Sequence, residues 1–379
     1  MQETGSSRTA GRWHGEGFSI SLMPALSPAR EQWEHALAVG GRTLPLPHRA
    51  AWAKLYPSAA RGGFLAIADA QGRPCGAVAL HASGSRSLPG HLIVRCERFG
   101  PGVPVAAHKL MLRALIAVAR RRRRVLRLHV ETFAIDAEER ASLERHAVEL
   151  GLSRVASARS YEHTLIISLD GDEASIFAAL HATARRHIRA AEKNPVHVRL
   201  IEDAVYFERL DALSRETYAR TGGSYDPPDW STIVALGAAE PGASRLVGLY
   251  RTDIDGPAAL LAFAWGCAHG DHVHYSRAAS TRDTDLRMPL MYPVVWDLMR
   301  WAKRGGARHF DFGGITVGNH QSADPLGGIS DFKRYFSGRV VQVGAEWSFE
   351  PRALHASAAR LVSSTSSFVS RVLARSRQG

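Results

Sequence analysis

Cysteine is scarce in this chain, with three among 379 residues. Cys75, Cys96 and Cys267 lie far apart, form no C-x-x-C pair and fall in strand-like stretches. That pattern predicts buried thiols and argues against a disulfide framework or a thiolate zinc site, so a reducing compartment is expected. Long hydrophobic runs are also lacking: none is long enough to cross a bilayer, and Met1 to Phe18 has no continuous apolar stretch of the kind a secretory leader needs. A cytoplasmic protein is the expectation. Negative charge is the third shortage. Asp and Glu total 36 against 48 Lys and Arg, a formal +12, and such a field draws in anionic partners such as phosphate-bearing substrates, RNA or an acidic membrane surface. The same excess suits plain solvated surface, so charge alone selects no function.

What the chain does have is length for two cores, with 45% hydrophobic residues to fill them, and a series of elements that occurs twice. Strand-like runs Phe64 to Ala70 and Cys75 to Ala82 flank the turn Gln71-Gly72-Arg73-Pro74, and His91 to Cys96 follows. A Gly/Pro loop, Gly100 to Pro104, precedes a helix predicted from His108 to Arg124, and Val125 to Val130 reads as the closing strand. In the second half Ser244 to Arg251 and Ala258 to Cys267 flank another turn, His272 to Ala279 is the next strand, Met288 to Arg304 a helix and Arg308 to Phe312 the last strand. Corresponding elements sit about 180 residues apart, the signature of a duplicated architecture. Helical material precedes each copy, at Pro28 to Leu37 and Ala50 to Tyr56, then at Tyr206 to Arg220 and Pro228 to Leu236. Tyr161 to Leu169, an alternating strand, and a helical pair from Glu173 to Lys193 join the copies.

Three stretches carry residue types suited to chemistry. In Arg185-Arg186-His187-Ile188-Arg189-Ala190-Ala191-Glu192-Lys193-Asn194, helical spacing puts Arg185, Arg189 and Lys193 on one face, a ridge able to hold phosphates; a solvent-facing helix explains it nearly as well. Thr281 to Pro289 leads into a helix N-terminus, where exposed amides and the helix dipole favour an anion and Arg282 or Arg287 would assist. It contains no glycine, whereas a loop that brings backbone close to a pyrophosphate is glycine-rich. The third stretch is Phe310-Asp311-Phe312-Gly313-Gly314 followed by Gly327 to Phe336. Paired glycines at a strand end leave room for substrate, and Lys333, next to Phe332, is placed to stabilise an oxyanion or phosphate as an amine attacks an ester. Otherwise Phe332 and Phe336 merely anchor a short helix while Lys333 points to water. Arg220 stands where a helix meets a glycine. Asp311, His309 and His274 are candidate proton acceptors.

The order of helices, antiparallel strands, helix and strand resembles that of the GNAT acyltransferase superfamily. The runs RRHIRAAEKN, FDFGG and GISDFKRYF, in this order, resemble the Fem family of tRNA-dependent aminoacyl transferases, most closely from Tyr161 to Val343. The resemblance implies an α/β (α+β) fold of two tandem GNAT-like domains, each a mixed, mostly antiparallel sheet flanked by helices. Boundaries are expected at 1–160, 161–350 and a basic tail, 351–379. It also implies Lys333 and Phe332 at the active site, joined by Asp311, with Arg185, Arg189, Lys193, Arg220 and Arg287 binding substrate. No metal or resident cofactor is expected. The donor would be aminoacyl-tRNA, and the acceptor a phosphate-bearing amine of a cell-envelope or peptide precursor. An acyl-CoA-dependent N-acyltransferase and a non-catalytic basic scaffold are the rival readings. Leu361, Val362, Phe368 and Val369, interleaved with Arg360, Arg371 and Arg375, give the tail a weakly amphipathic pattern that suits peripheral contact with a membrane surface or a packing helix.

Overall fold

The computed structural model describes residues 11–352 apart from 157, 223–224, 317–326 and 337. Two compact units are present, Met1–Ser160 together with Gly344–Gly379, and Tyr161–Val343. In chain order the elements are β1 (Arg12–Gly15), β2 (Phe18–Met23), α1 (Pro28–Val39), α2 (Ala50–Leu55), α3 (Pro57–Ala60), β3 (Gly63–Ala68), β4 (Pro74–Gly84), β5 (Leu92–Phe99), α4 (His108–Arg121), β6 (Val125–Thr132), α5 (Ala137–Glu149) and β7 (Ser153–Arg154). They continue as β8 (His163–Ser168), α6 (Glu173–Ala179), α7 (Ala182–Ala190), β9 (Val196–Leu200), α8 (Phe207–Thr221), α9 (Trp230–Ala239), β10 (Ser244–Arg251), β11 (Leu260–Ala268), β12 (His272–Ser280), α10 (Met291–Arg304), β13 (His309–Gly314), α11 (Gly327–Arg334), β14 (Arg339–Gln342) and β15 (Glu346–Phe349). Among the described residues no helix is long and apolar enough to cross a membrane.

Each unit is built on one mixed sheet. The first has the order β1-β2-β3-β4-β5-β6-β15-β7, the second β14-β8-β13-β12-β11-β10-β9. In both, antiparallel hairpins lead into one parallel pair, β5 with β6 and β12 with β13, joined by a helical crossover. The strand beside each crossover product comes from outside the hairpin-and-crossover series. β8, which follows the first unit in sequence, pairs with β13, and β15, from beyond the second unit, pairs with β6. This corrects the expected end of the second domain at residue 350: Glu346–Phe349 belongs to the first sheet, because its backbone groups find their ladder on β6 and β7. All but the first two residues of the 351–379 tail lie outside the described residues.

Local chemistry explains the element ends. Ser27, Asp136, Asp172 and Asp229 cap helices by accepting from amides of the first turn, and Gly222 ends α8 at φ 68, a left-handed conformation that costs glycine little. β3 is buried along its whole length, and β4 nearly so, as central strands covered on both faces must be. From α4, Leu110, Leu112, Leu115 and Val118 join β-strand residues such as Val78, Val94 and Leu128 in the first core. Each such side chain contributes about 2 kcal/mol by leaving water. The three cysteines are free and buried, as their strand positions predict.

The first unit also buries an ion pair. Arg30, 1% exposed, donates to Glu34 at 2.9 Å and to the carbonyls of Ala25 and His48 at 2.6 and 2.8 Å, and lies over the Phe64 ring. A charge this enclosed persists only because its donors are used.

Candidate active site

In the second sheet the parallel pair opens. β12 and β13 are registered only at His272↔His309, Val273↔Phe310 and His274↔Asp311, although β12 continues to Ser280 and β13 to Gly314. On its other side β12 stays paired with β11, with one irregularity: Gly266 faces Tyr275 and Trp265 faces Arg277, so Ser276 is an extra, bulged residue. Beyond this parting lies a cavity of about 520 Å³. Its walls are Ser276, Arg277 and Ala278 of β12, Gly314 to Thr316 after β13, a stretch of α8 including Thr217 and Tyr218, Trp230 of α9, Phe263 of β11, and Lys333 of α11.

Lys333 is 7% exposed, and its Nζ donates to the Gly314 carbonyl at 2.5 Å. Burial pulls its pKa down to about 8, while the Asp311 carboxylate works in the opposite direction. The segment after β13 is stitched to α11 at two more points. The Ser330 hydroxyl lies 2.9 Å from that of Thr316, and Arg334 donates to the Thr316 carbonyl at 2.7 Å. The ammonium is therefore held at the cavity wall by the strand end and the helix together, and among the described residues its bond to Gly314 uses one of its three donors.

Asp311 is fully buried and its oxygens are engaged. Tyr161 donates to it at 2.6 Å, the Gly313 amide at 2.8 Å, and the Thr164 hydroxyl lies 2.5 Å away. A carboxylate so occupied is a positioning charge beside Lys333 rather than an open proton acceptor. Gly313 has φ +69, where a side chain is strained, and an added Cβ would stand 3.0 Å from His274 Nε2. The double glycine of the strand end thus lets the chain turn tightly past β12.

Phe332 does not line the cavity. It packs against Tyr292 and Phe336, ring centroids 5.0 and 5.4 Å away, in a cluster that includes Phe312. Both phenylalanines anchor the helix, as the bland reading of their spacing held, but Lys333 points into the cavity and not to bulk water. The expected basic ridge does not form. α7 ends at Ala190 and a tighter 3-10 turn, Ala191–Lys193, rotates Lys193 away from the helical spacing. Arg185 caps α6, donating to the carbonyls of Ala178 and Leu180, Arg189 lies over the Phe177 ring, and Lys193 is exposed. Arg220 and Arg287 are exposed as well, and none of the five borders the cavity of Lys333. His309 is half-buried on β13, and the His274 ring meets that of Tyr161 at a tilt, centroids 5.5 Å apart. The helix N-terminus after Thr281 to Pro289 is Leu290, with Pro293 in the first turn, so one of the amides an anion would use is missing.

Sequence reading missed Tyr161, Thr164, Trp230 and Arg277. The strand holding Thr164 read as a linker, and nothing in a single strand reveals that its neighbour will part from it.

Residues 178–334 match the family model described as an acetyltransferase (GNAT) domain. That match spans most of the second unit, which thus resembles a GNAT acyltransferase domain. The fold of the whole chain is similar to that of FemX, with a TM-score of 0.67 and 15% identity, covering 86% of this chain and 96% of that one. It is also similar to L-PGS from Bacillus licheniformis, at TM-score 0.50 and 14% identity, covering 90% and 98%. At these identities the likeness speaks for the fold alone, two mixed sheets flanked by helices. No curated protein sequence matches the chain.

Proposed function

We propose that this acyltransferase forms amide bonds by passing an aminoacyl group from aminoacyl-tRNA to an amine of a peptide or cell-envelope precursor, with Lys333 at the reacting centre. The observation that carries the reading is the Lys333 ammonium, buried at the wall of a cavity opened by the parting of β12 and β13. In the reaction the amine nitrogen attacks the ester carbonyl carbon, the C–N bond forms, the C–O bond to the ribose breaks, and the amine proton leaves with the departing hydroxyl or to water. Negative charge gathers first on the carbonyl oxygen and then on the leaving oxygen. A preorganised cation in a water-poor site stabilises both, at about 3 kcal/mol for one well-placed donor. Asp311 keeps the lysine charged despite its burial.

The Fem-like fold and the F-K motif support the tRNA donor, and the formal charge of +12 supports phosphate-bearing partners. One observation favours a second reading, acyl-CoA as donor: the edge of β12 beyond His274 has no strand partner on β13, and an extended amide-bearing arm is able to pair there. The glycine-free loop before α10 and Pro293 in its first turn weigh against a pyrophosphate at that helix end. The deciding experiment supplies labelled aminoacyl-tRNAs, acetyl-CoA and longer acyl-CoAs to the protein with amine-bearing envelope precursors. Transfer from tRNA that disappears with RNase is the expected result. Transfer from a thioester alone moves the protein to the second reading.

A further inference from the structure

The cavity holds a second cation that the proposed chemistry leaves unused. Arg277 is half-buried on β12, directly after the Ser276 bulge, and pairs in register with Trp265, so both side chains stand on one face of the sheet. Phe263, two residues from Trp265, shares that face and meets Trp230 edge-on at 5.2 Å; α8 packs over β12 on the same side. The opposite face belongs to α10, whose Leu298 and Trp301 crowd Gly266. Arg277 therefore projects into the space between the sheet and α8 and α9, where it lines the cavity.

A guanidinium half-withdrawn from water ordinarily has a carboxylate partner, because its five donors need acceptors. Among the described residues Arg277 has no ion pair and no hydrogen bond. The nearby acids are committed elsewhere. Asp211 accepts from the Tyr225 hydroxyl and from Trp230 Nε1 at 2.8 Å and lies 3.7 Å from Arg215. Asp311 is held by Tyr161, Thr164 and Gly313. Glu162, the carboxylate of the cavity lining, has an interaction of its own.

We infer that Arg277 is a specificity-determining residue that binds an oxyanion, carboxylate or phosphate, on the substrate in this cavity. The inference rests on the cavity being the transfer site. The bulge is the device that makes it: without the extra residue, strand alternation would carry Arg277 to the α10 face. Trp230 and Phe263 form the apolar wall beside the cation, and an oxyanion there would have a fork-shaped donor set open to it.

The test is calorimetric binding of two matched pairs, N-acetylphenylalanine against its amide and AMP against adenosine. Wild-type protein is expected to bind the anionic member of at least one pair about ten-fold or more tightly than the neutral one. Arg277→Gln and Arg277→Met should both erase that preference, and circular dichroism checks that each is folded. A preference in the first pair assigns a substrate carboxylate, one in the second a phosphate. No preference in the wild type, or one that survives both replacements, overturns the inference; so does a preference lost in Lys333→Ala, which would put the anion on the lysine. Turnover that is indifferent to Lys333 would instead remove the proposed reaction while leaving anion binding by Arg277 to stand or fall on its own.

Discussion

The two units repeat one strand order and differ at the parallel pair. In the first, β5 and β6 pair from Leu92↔Val125 to Phe99↔Thr132, with register shifts after Leu92 and after Cys96 but no parting of the strands, and ionic contacts lie alongside: His81 faces Glu97 at 3.6 Å and Arg95 faces Glu346 at 3.4 Å. In the second, β12 and β13 part after three registered pairs, and the space beyond is a cavity with Lys333 and Arg277 on its walls. One copy uses its charges to close the sheet; the other leaves two cations facing open volume. The proposed reaction assigns the chemistry to the second unit alone, so substitutions should affect stability in the first and turnover in the second.

The largest expected effect is in the second unit. Lys333→Ala should lower kcat by about 10²- to 10³-fold with the fold intact, measured by transfer assay alongside circular dichroism. In the first unit, Arg30→Ala strands Glu34 and two buried carbonyls. It should cost about 3–5 kcal/mol in denaturant unfolding while the kcat of the folded fraction is unchanged. Gly313→Ala lies between these cases: strain at φ +69 and the approach to His274 should cost about 1–3 kcal/mol and reduce activity, since the same turn places Gly314 against Lys333.

The units should also answer differently to pH. With Lys333 in the proposed role of a cation, activity should fall as pH rises through about 8, where the buried ammonium loses its proton. Asp311 raises that pKa; Asp311→Asn should therefore move the descending limb of the pH–rate profile to lower pH. In the first unit, burial holds His48 neutral down to about 3 and His108 down to about 4. Both folded values lie below the ordinary histidine value, so between there and about 6.5 the unfolded chain binds protons that the folded chain does not. Stability consequently falls as pH drops through that window, by about 1.4 kcal/mol per unit for each such histidine. The smallest expected effect sharpens this point: His48→Gln should flatten part of that acid slope in pH-dependent unfolding and leave the activity limb near pH 8 in place.

How much of this was readable beforehand depends on the range of the forces involved. Hairpins, crossover helices and the repeat were legible, because alternation, helical spacing and turn residues are local: Ser244–Arg251 matches its predicted bounds, and α4 and α10 end within a few residues of theirs. Lys333 was legible as a cation between aromatics in a recognisable motif. The sequence by itself therefore determined the strand and helix order, the glycine turn at the end of β13 and the presence of a lysine three residues before Phe336. Only the tertiary structure decided that α7 stops short and scatters the basic ridge, that β8 and β15 each complete the sheet of the other half of the sequence, and that β12 parts from β13. These outcomes come from pairings between residues distant along the chain, where backbone hydrogen bonds and burial choose among partners that no local pattern specifies. The direction in which Arg277 points follows from one bulged residue, and a bulge is a property of two strands in register, so neither strand alone encodes it.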